Sequence, residues 1–71
     1  MPRADAGVTF REYLLQVRLV EAAALLRSTN LPVKAVAHDA GFNDSGYFIR
    51  QFKRRYGATP TSYRSRPLER D

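Results

Sequence analysis

Residues 33–56 read VKAVAHDAGFNDSGYFIRQFKRRY, and this stretch decides the fold. It holds two helix-forming segments on either side of Gly41, which predicts two short helices joined by a turn. Pro32 stands where the first helix begins, because its missing N–H is not needed in the first turn of a helix. Gly41 is placed to end that helix with a positive φ, and Phe42 follows it as the hydrophobic closure.

The second helix of this pair is predicted over residues 45–56. Asn43 and Asp44 both suit the position before it, because their side chains accept hydrogen bonds from first-turn N–H groups. Phe48 and Phe52 are four residues apart, so they share one face of the helix and are expected to pack on the first helix. Two helices with a glycine turn between them are typical of a helix-turn-helix unit.

A longer helix is predicted upstream, over residues 10–27, which contain neither glycine nor proline. Thr9 and Glu12 have the spacing of a capping box, and Val8 and Tyr13 have that of a hydrophobic staple. At about 100° per residue this helix carries two apolar stripes on opposite sides. The Phe10 stripe holds Phe10, Tyr13, Leu14, Val17, Val20 and Ala24, and the Leu19 stripe holds Leu15, Leu19, Ala22 and Leu26. Such a helix is expected to bridge two modules or to meet a partner chain; the alternative is that the short C-terminal segments wrap it fully.

A last short helix is predicted over residues 60–64, with Thr59 as its cap. Residues 1–7 are expected to form a flexible lead-in and residues 65–71 a polar, frayed tail. No segment shows the pattern of a strand. The sequence therefore predicts an all-α domain of homeodomain-like, three-helical type over residues 8–64, in which a long helix precedes a helix-turn-helix and a short C-terminal helix.

The composition excludes several kinds of site. The 71 residues include no cysteine, which excludes disulfides, cysteine-ligated zinc and thiol catalysis, and one histidine, His38, which leaves little for a histidine metal site. No paired carboxylates stand in helical register and so short a chain forms no pocket-sized core, so we expect neither an enzyme nor a bound cofactor. The best apolar run, residues 13–26, contains Arg18 and Glu21, so no membrane span is expected.

The positive charge lies at one end of the chain. Residues 1–49 are neutral overall, whereas residues 50–71 hold seven basic and two acidic side chains and carry the whole net charge of +5. Positive charge concentrated in one part of a chain is typical of proteins that bind a polyanion, and nucleic acid is favoured here over an anionic membrane surface. The other explanation is a basic face that is solvated and binds no partner. The second helix keeps its aromatic line for the core, so it lacks the wide apolar face of a membrane-surface helix.

On the side of the second helix opposite Phe48 and Phe52, the first side chains are small and the later ones are cationic. This side holds Ser45, Gly46, Arg50, Lys53 and Arg54. Such a helix suits the major groove of DNA, where its first residues approach base edges and its flanks neutralise phosphates. Gly46 lets the backbone come close, and Arg50 can bond guanine through two donors or hold a phosphate.

Several groups of residues, taken together, carry a resemblance to a known family. They are Gly7–Leu14; Arg18, Leu19, Ala22, Leu25 and Leu26; Val36, Ala37, Gly41 and Phe42; Tyr47–Lys53; and Gly57–Pro60 with Tyr63 and Arg64. In this combination the chain resembles the AraC/XylS family of bacterial transcription regulators over residues 7–64. The resemblance implies a DNA-binding domain of two helix-turn-helix units joined by a long helix, of which this chain holds the long helix and the second unit.

The resemblance also implies what lies upstream and what the chain binds. A first helix-turn-helix unit and a sensor domain would precede this chain, and the Phe10 stripe would face that first unit. The implied partners are double-stranded DNA and RNA polymerase, in the bacterial cytoplasm at the nucleoid. The leading hypothesis is sequence-specific DNA binding through residues 45–56 in the major groove. The alternative is a protein-interaction module that docks a partner through the long helix and binds DNA only weakly and without specificity.

The resemblance places individual residues at the DNA. The base-reading positions are Ser45, Gly46, Ile49 and Arg50. The phosphate positions are Lys53, Arg54, Val33 and Lys34 through their backbone N–H groups, and Arg64. Arg64 has an equal alternative, which is to pair with a helix C-terminus. Ile49 stands where the family often has a small polar residue, so it either edges the core, which we favour, or touches a thymine methyl group.

Overall fold

The computed structural model describes residues 9–65, which form four helices and, within that range, no strand. The helices are α1 (Phe10–Ser28), α2 (Val33–Asp39), α3 (Ser45–Tyr56) and α4 (Pro60–Ser65). The predicted all-α fold class is therefore confirmed. α1 and α4 each end one residue later than predicted, and Ser65 belongs to α4 rather than to a tail. The lead-in expected over residues 1–7 and the rest of the expected tail lie outside the described residues.

α1 begins with the predicted capping box. The Glu12 N–H donates to Thr9 Oγ1 at 3.0 Å, and the Thr9 N–H donates to Glu12 Oε1 at 3.4 Å. The two residues thus satisfy each other's donors at the helix start. The other end of α1 is closed by Thr29, whose N–H and hydroxyl both donate to the Leu25 carbonyl, at 3.0 and 2.7 Å. Val8, which the predicted staple needs, lies outside the described residues.

The turn after α2 depends on glycine, as predicted. Gly41 has φ +100°, a conformation that residues with a side chain rarely adopt. Its N–H donates to the His38 carbonyl at 3.0 Å, and the Phe42 N–H donates to the Ala37 carbonyl at 2.8 Å. These two bonds make a Schellman motif, and the buried Phe42 side chain closes it. The motif ends α2 sharply and directs the chain toward α3.

α3 is capped by Asp44, one of the two predicted candidates. Its Oδ1 accepts hydrogen bonds from the Gly46 N–H at 2.9 Å and from the Tyr47 N–H at 3.4 Å. α3 ends at Tyr56, and Gly57 caps it with φ +75°. Because the cap fixes where α3 begins, it also fixes which side chains stand in the first turn of that helix.

The core lies where the second half of α1 packs against α2 and α3. Its buried residues are Leu19, Ala22, Ala23, Leu26, Val36, Ala37, Ala40, Phe42, Phe48 and Phe52. A line of rings runs through it from Phe42 to Phe48, Phe52 and Tyr63, with successive centroids 4.9, 5.6 and 5.2 Å apart. Such ring pairs each contribute about 0.5–1.5 kcal/mol beyond the area they bury. The line connects the turn, α3 and α4, so the core holds α3 along its length.

Only one of the two apolar stripes of α1 is covered. On the Leu19 stripe, Leu19 and Leu26 are 2% and 1% exposed. On the Phe10 stripe, Phe10 is 76%, Tyr13 60% and Val20 53% exposed. The alternative in which the C-terminal segments wrap α1 fully is therefore wrong for residues 9–65. Tyr63 of α4 packs on Phe52. Of the helices in that range, none is both long and apolar enough to cross a membrane.

Candidate nucleic-acid interface

α3 divides its side chains between a core face and an outer face. Phe48 and Phe52 are fully buried. Arg50, Lys53 and Arg54 are exposed. The spacing of four residues between the two phenylalanines turns both toward the core and leaves the cationic side chains on the surface. The outer face of α3 is therefore cationic, and the opposite face is packed into the core through Phe48 and Phe52.

The first turn of the outer face brings a guanidinium close to a glycine. A Cβ built on Gly46 would lie 3.8 Å from Arg50 Nη1 and 3.3 Å from Asp44 Oδ1. The Arg50 side chain therefore reaches back by one turn toward Gly46, in the direction in which helical side chains lean. Gly46 leaves room for a close approach of the backbone, and Arg50 supplies N–H donors at the same place. Two of the predicted base-reading residues thus form one cluster.

The other two predicted base-reading residues, Ser45 and Ile49, each stand one residue before a member of the Gly46–Arg50 cluster. Both are half-buried, and Ile49 packs against the buried cluster. Of the two alternatives for Ile49, the structure shows the core-edge packing that the sequence analysis favoured. Part of its side chain is still open to the surface. Ser45 and Ile49 therefore border the Gly46–Arg50 cluster rather than stand in its centre.

The predicted phosphate residues of α3 stand in its last turn. Lys53 and Arg54 are exposed there, where cations are also favoured by the negative end of the helix dipole. Arg55 differs from them, because its guanidinium carbon lies 5.7 Å from the centre of the Tyr56 ring, in a cation–π arrangement. Arg55 is thus directed toward an aromatic neighbour, which makes it a useful comparison for the other cations.

The predicted phosphate residues of α2 stand at its first turn. Val33 is half-buried and packs against the core, and Lys34 is exposed. Pro32 precedes them with φ −59° and makes no side-chain cap to the helix. The first N–H groups of α2 therefore have no side-chain acceptor from the residue before them. Their contact with a phosphate stays a prediction.

Arg64 is engaged within the fold. Its Nε donates to the Leu26 carbonyl at 3.1 Å, and its Nη2 donates to the Thr29 carbonyl at 3.2 Å. Both carbonyls belong to the C-terminal end of α1, where unpaired acceptors and the helix dipole favour a cation. Of the two alternatives for Arg64, the structure shows the pairing with a helix C-terminus. The phosphate contact stays a prediction that these two bonds do not support.

A groove beside α3 was not foreseen. It has a volume of about 610 Å³ and lies between the first half of α1 and the turn, with Arg18, Asp44 and Tyr47 in its walls. Tyr47 is 40% exposed, and its ring centre is 6.2 Å from that of Phe42. Tyr47 stands next to Gly46 in the first turn of α3 and is not among the predicted site residues.

The geometry of the turn and of α3 is that of a helix-turn-helix domain. A family profile described as a helix-turn-helix domain matches residues 3–66. The chain belongs to this family and, within it, to the AraC type, whose members are DNA-binding transcription regulators. The resemblance seen in the sequence is thereby confirmed, and the family to which the chain belongs is one of transcription regulators.

Curated relatives show the extent of the similarity. The chain is 38% identical over 68 residues to the HTH-type transcriptional activator RhaR of Mannheimia succiniciproducens, and 44% identical over 64 residues to RhaR of an Enterobacter species. It is 46% identical over 58 residues to the uncharacterized HTH-type transcriptional regulator YijO of Escherichia coli. These alignments cover 96%, 90% and 82% of this chain but 25%, 23% and 20% of the relatives. The chain thus spans a quarter of their length or less.

A solved structure agrees with the fold. The C-terminal domain of the two-component response regulator yesN from Fusobacterium nucleatum is 44% identical to the chain, with a TM-score of 0.78. The match covers 83% of this chain and 57% of that domain. The all-helical arrangement is therefore shared with a protein that was solved independently.

Proposed function

We propose that this chain binds double-stranded DNA in a sequence-dependent way, with α3 in the major groove. The observation that carries the proposal is the cluster in the first turn of α3, where Arg50 lies near Gly46 on the face away from Phe48 and Phe52. In helix-turn-helix proteins the first residues of the second helix meet base edges. A glycine there lets the backbone approach the bases, and a guanidinium beside it offers two parallel donors to O6 and N7 of guanine.

Ser45 and Ile49 would complete the reading surface at its inner edge. The Ser45 hydroxyl both donates and accepts hydrogen bonds, so it suits more than one base. The exposed part of Ile49 is apolar and suits the methyl group of thymine. We assign most of the affinity to Arg50 and Lys53, whereas Ser45, Gly46 and Ile49 would tune the sequence preference around the guanine contact of Arg50.

Lys53 and Arg54 would hold phosphates beside the groove that α3 enters. A second contact would come from the N–H groups of Val33 and Lys34, because the first helix of such a unit crosses the DNA backbone. The two cationic contacts, Lys53 and Arg54, give a slope of about −2 in log K against log salt, since each phosphate neutralised on duplex DNA contributes about −0.9. Strong dependence on salt is therefore part of the proposal.

The larger protein to which this binding belongs would be a bacterial transcription regulator, acting in the cytoplasm at the nucleoid. Its relatives are named as transcriptional activators and regulators, and the chain spans a quarter of their length or less. We therefore propose that an upstream helix-turn-helix unit, and a sensor domain beyond it, complete the protein. RNA polymerase as a partner of that protein stays a prediction.

The Phe10 stripe is the surface on which the upstream unit would dock. Phe10 and Tyr13 are 76% and 60% exposed, and Val17 and Val20 are 44% and 53% exposed. With about 150–250 Å² for each aromatic side chain, the stripe presents roughly 400 Å² of apolar surface, which is the size of a functional patch. A dimer built on it would bury roughly 800 Å² in total, less than the roughly 1,000 Å² that a stable interface needs. A unit of the same polypeptide needs less area, because the linkage raises its effective concentration.

The proposal is tested by selecting bound duplexes from a random pool at low salt. The selection is made once with the 71-residue chain and once with a longer protein that also contains the segment encoded upstream. Both selections are expected to converge on a shared short sequence, and the longer chain is expected to bind it more tightly. A pool that stays random at minimal salt would refute sequence-dependent binding.

Two arginine variants then locate the reading face. Arg50→Ala is expected to weaken binding to the selected duplex by about five- to 150-fold and to relax its sequence preference. Arg55→Ala removes the same charge from the same helix but from the side chain that lies over Tyr56. It is expected to leave the ratio between selected and scrambled duplexes unchanged. Equal loss of that ratio in both variants would contradict base reading by Arg50.

A further inference from the structure

Arg18 fills the space that a side chain on the glycine of the turn would need. Its Nε, Cδ and Cζ atoms lie 2.8, 3.3 and 3.4 Å from the position of a Cβ built on Gly41. The side chain is half-buried and starts in the middle of α1. The end of the arginine side chain therefore packs over Gly41 in the turn between α2 and α3.

Gly57 shows that this contact is particular to one turn. It also has a left-handed backbone, with φ +75°, yet nothing lies within 4 Å of a Cβ built on it. Gly41 is thus required twice, once for its φ of +100° and once for the room that Arg18 occupies. A close approach of this kind joins α1 to the turn by packing.

The turn leads directly to the reading end of α3. Its hydrogen bonds fix Gly41 and Phe42 on α2, and Asp44 then caps Gly46 and Tyr47. Arg18 and Asp44 stand in the walls of the same groove. A side chain wedged against the turn therefore braces α1 against the segment that sets where α3 begins.

We infer that Arg18 is a positioning residue, which holds the first turn of α3 at a fixed orientation to α1 by packing on Gly41. The inference rests on the proposed function and deepens it, because α1 is also the helix on which the upstream unit would dock. Arg18 touches no base in this scheme. It sets the angle at which Gly46 and Arg50 meet the DNA, and so aligns this reading unit with the one upstream.

The first experiment compares amide spectra of the free 71-residue chain. Arg18→Ala is expected to shift the amide signals of residues 41–47, well beyond its own neighbours in α1. The matched control is Arg11→Ala, an exposed arginine of the same helix and the same groove, which is expected to leave those signals in place. Signals at 41–47 that do not move in Arg18→Ala would overturn the inference, whether or not the chain binds DNA.

The second experiment measures binding to the duplex selected by the wild-type chain and to a scrambled duplex of the same composition. Arg18→Ala is expected to lower the ratio of the two affinities by about fivefold, the size of one lost base contact, whereas Arg11→Ala keeps it. The salt slopes of the two variants are expected to be equal. A slope lower by about one in Arg18→Ala than in Arg11→Ala would make Arg18 a phosphate contact and overturn the positioning role.

Two more variants separate packing from charge and from folding. Arg18→Met keeps a chain of atoms as far as the position of Nε, so it is expected to retain both the amide signals and the discrimination. Loss of both in Arg18→Met would overturn positioning by packing. If Arg18→Ala does not fold, Arg18→Leu, which ends at the position of Cδ, replaces it in both experiments. A wild-type chain that does not distinguish the two duplexes would refute the proposed function, while the amide comparison would still decide the role of Arg18.

Discussion

Gly41→Ala and Gly57→Ala form a pair that measures how much the packing around the turn contributes to stability. Both glycines have a left-handed backbone, with φ +100° and +75°. A Cβ in that conformation costs about 1–2 kcal/mol by itself. At Gly57 nothing lies within 4 Å of the added atom, so this is the whole expected loss. At Gly41 the added atom would come within 2.8 Å of Arg18 Nε, so the arginine has to move.

The extra loss at Gly41 follows from what has to be displaced. Overpacking a core costs about 1–3 kcal/mol, and the end of a long side chain yields more readily than a backbone, so we expect about 1 kcal/mol here. Gly41→Ala should therefore lower the free energy of unfolding by about 2–3 kcal/mol, against about 1–2 kcal/mol for Gly57→Ala. In a domain of this size each kcal/mol shifts Tm by about 4–8 °C, so the difference is measurable.

Urea unfolding followed by helical circular dichroism gives both free energies. Because φ also differs between the two glycines, the Arg18 part is isolated by repeating Gly41→Ala in an Arg18→Ala background. There the alanine should cost about 1 kcal/mol less than in the wild-type chain. The same cost for Gly41→Ala with and without Arg18 would refute the reasoning, and so would equal destabilisation by the two alanine variants in the wild-type background.

Three further outcomes are expected. Asp44→Ala should lower the free energy of unfolding in urea by about 1 kcal/mol, because two N–H groups of α3 lose their acceptor. Asp39→Ala, at an exposed residue of α2, should change it by less than about 0.5 kcal/mol. Equal effects of the two variants would contradict the capping role. Arg64→Ala should lower the Tm of the 71-residue chain, since charge-assisted hydrogen bonds contribute about 1.5–3 kcal/mol. Arg64→Lys should recover part of the loss. An unchanged Tm would show that the hydrogen bonds from Arg64 to α1 contribute nothing to stability. Tyr13→Glu should leave thermal unfolding of the 71-residue chain unchanged but destabilise a longer protein that includes the segment encoded upstream. Leu19→Ala, in the buried stripe, should cost about 2–5 kcal/mol in both proteins. A Tyr13→Glu effect confined to the short chain would contradict docking on the Phe10 stripe.

The helix boundaries were predictable because local rules set them. Pro32 before α2, Gly41 after it and Asp44 before α3 each act on the backbone within a few residues. The capping box of Thr9 and Glu12 is local in the same sense. Chemistry confined to one turn can be recognised in the order of residues alone.

Contacts between distant parts of the chain could not be settled in the same way. Arg64 bonds the Leu26 carbonyl across 38 residues, and nothing near either residue in the sequence indicates that pairing. The two stripes of α1 have similar apolar content, so the pattern does not say that Leu19 is covered and Phe10 exposed. The contact of Arg18 with the turn was missed for the same reason, since it depends on how α1 and α2 cross. Within the candidate site, the order of residues shows which side of α3 is cationic, and the four-residue spacing also places Arg50 near Gly46. It does not show how much of Ile49 the core covers, which depends on packing between helices.

The core face and the outer face of α3 can change independently during evolution. Phe48 and Phe52 supply its attachment to the scaffold, while Gly46, Arg50 and Lys53 lie outside the buried cluster. Replacements on that open side disturb few packed atoms, so they carry little penalty for the rest of the molecule. Under the proposed function, the sequence that α3 prefers can therefore change by substitution while the architecture of the domain stays intact.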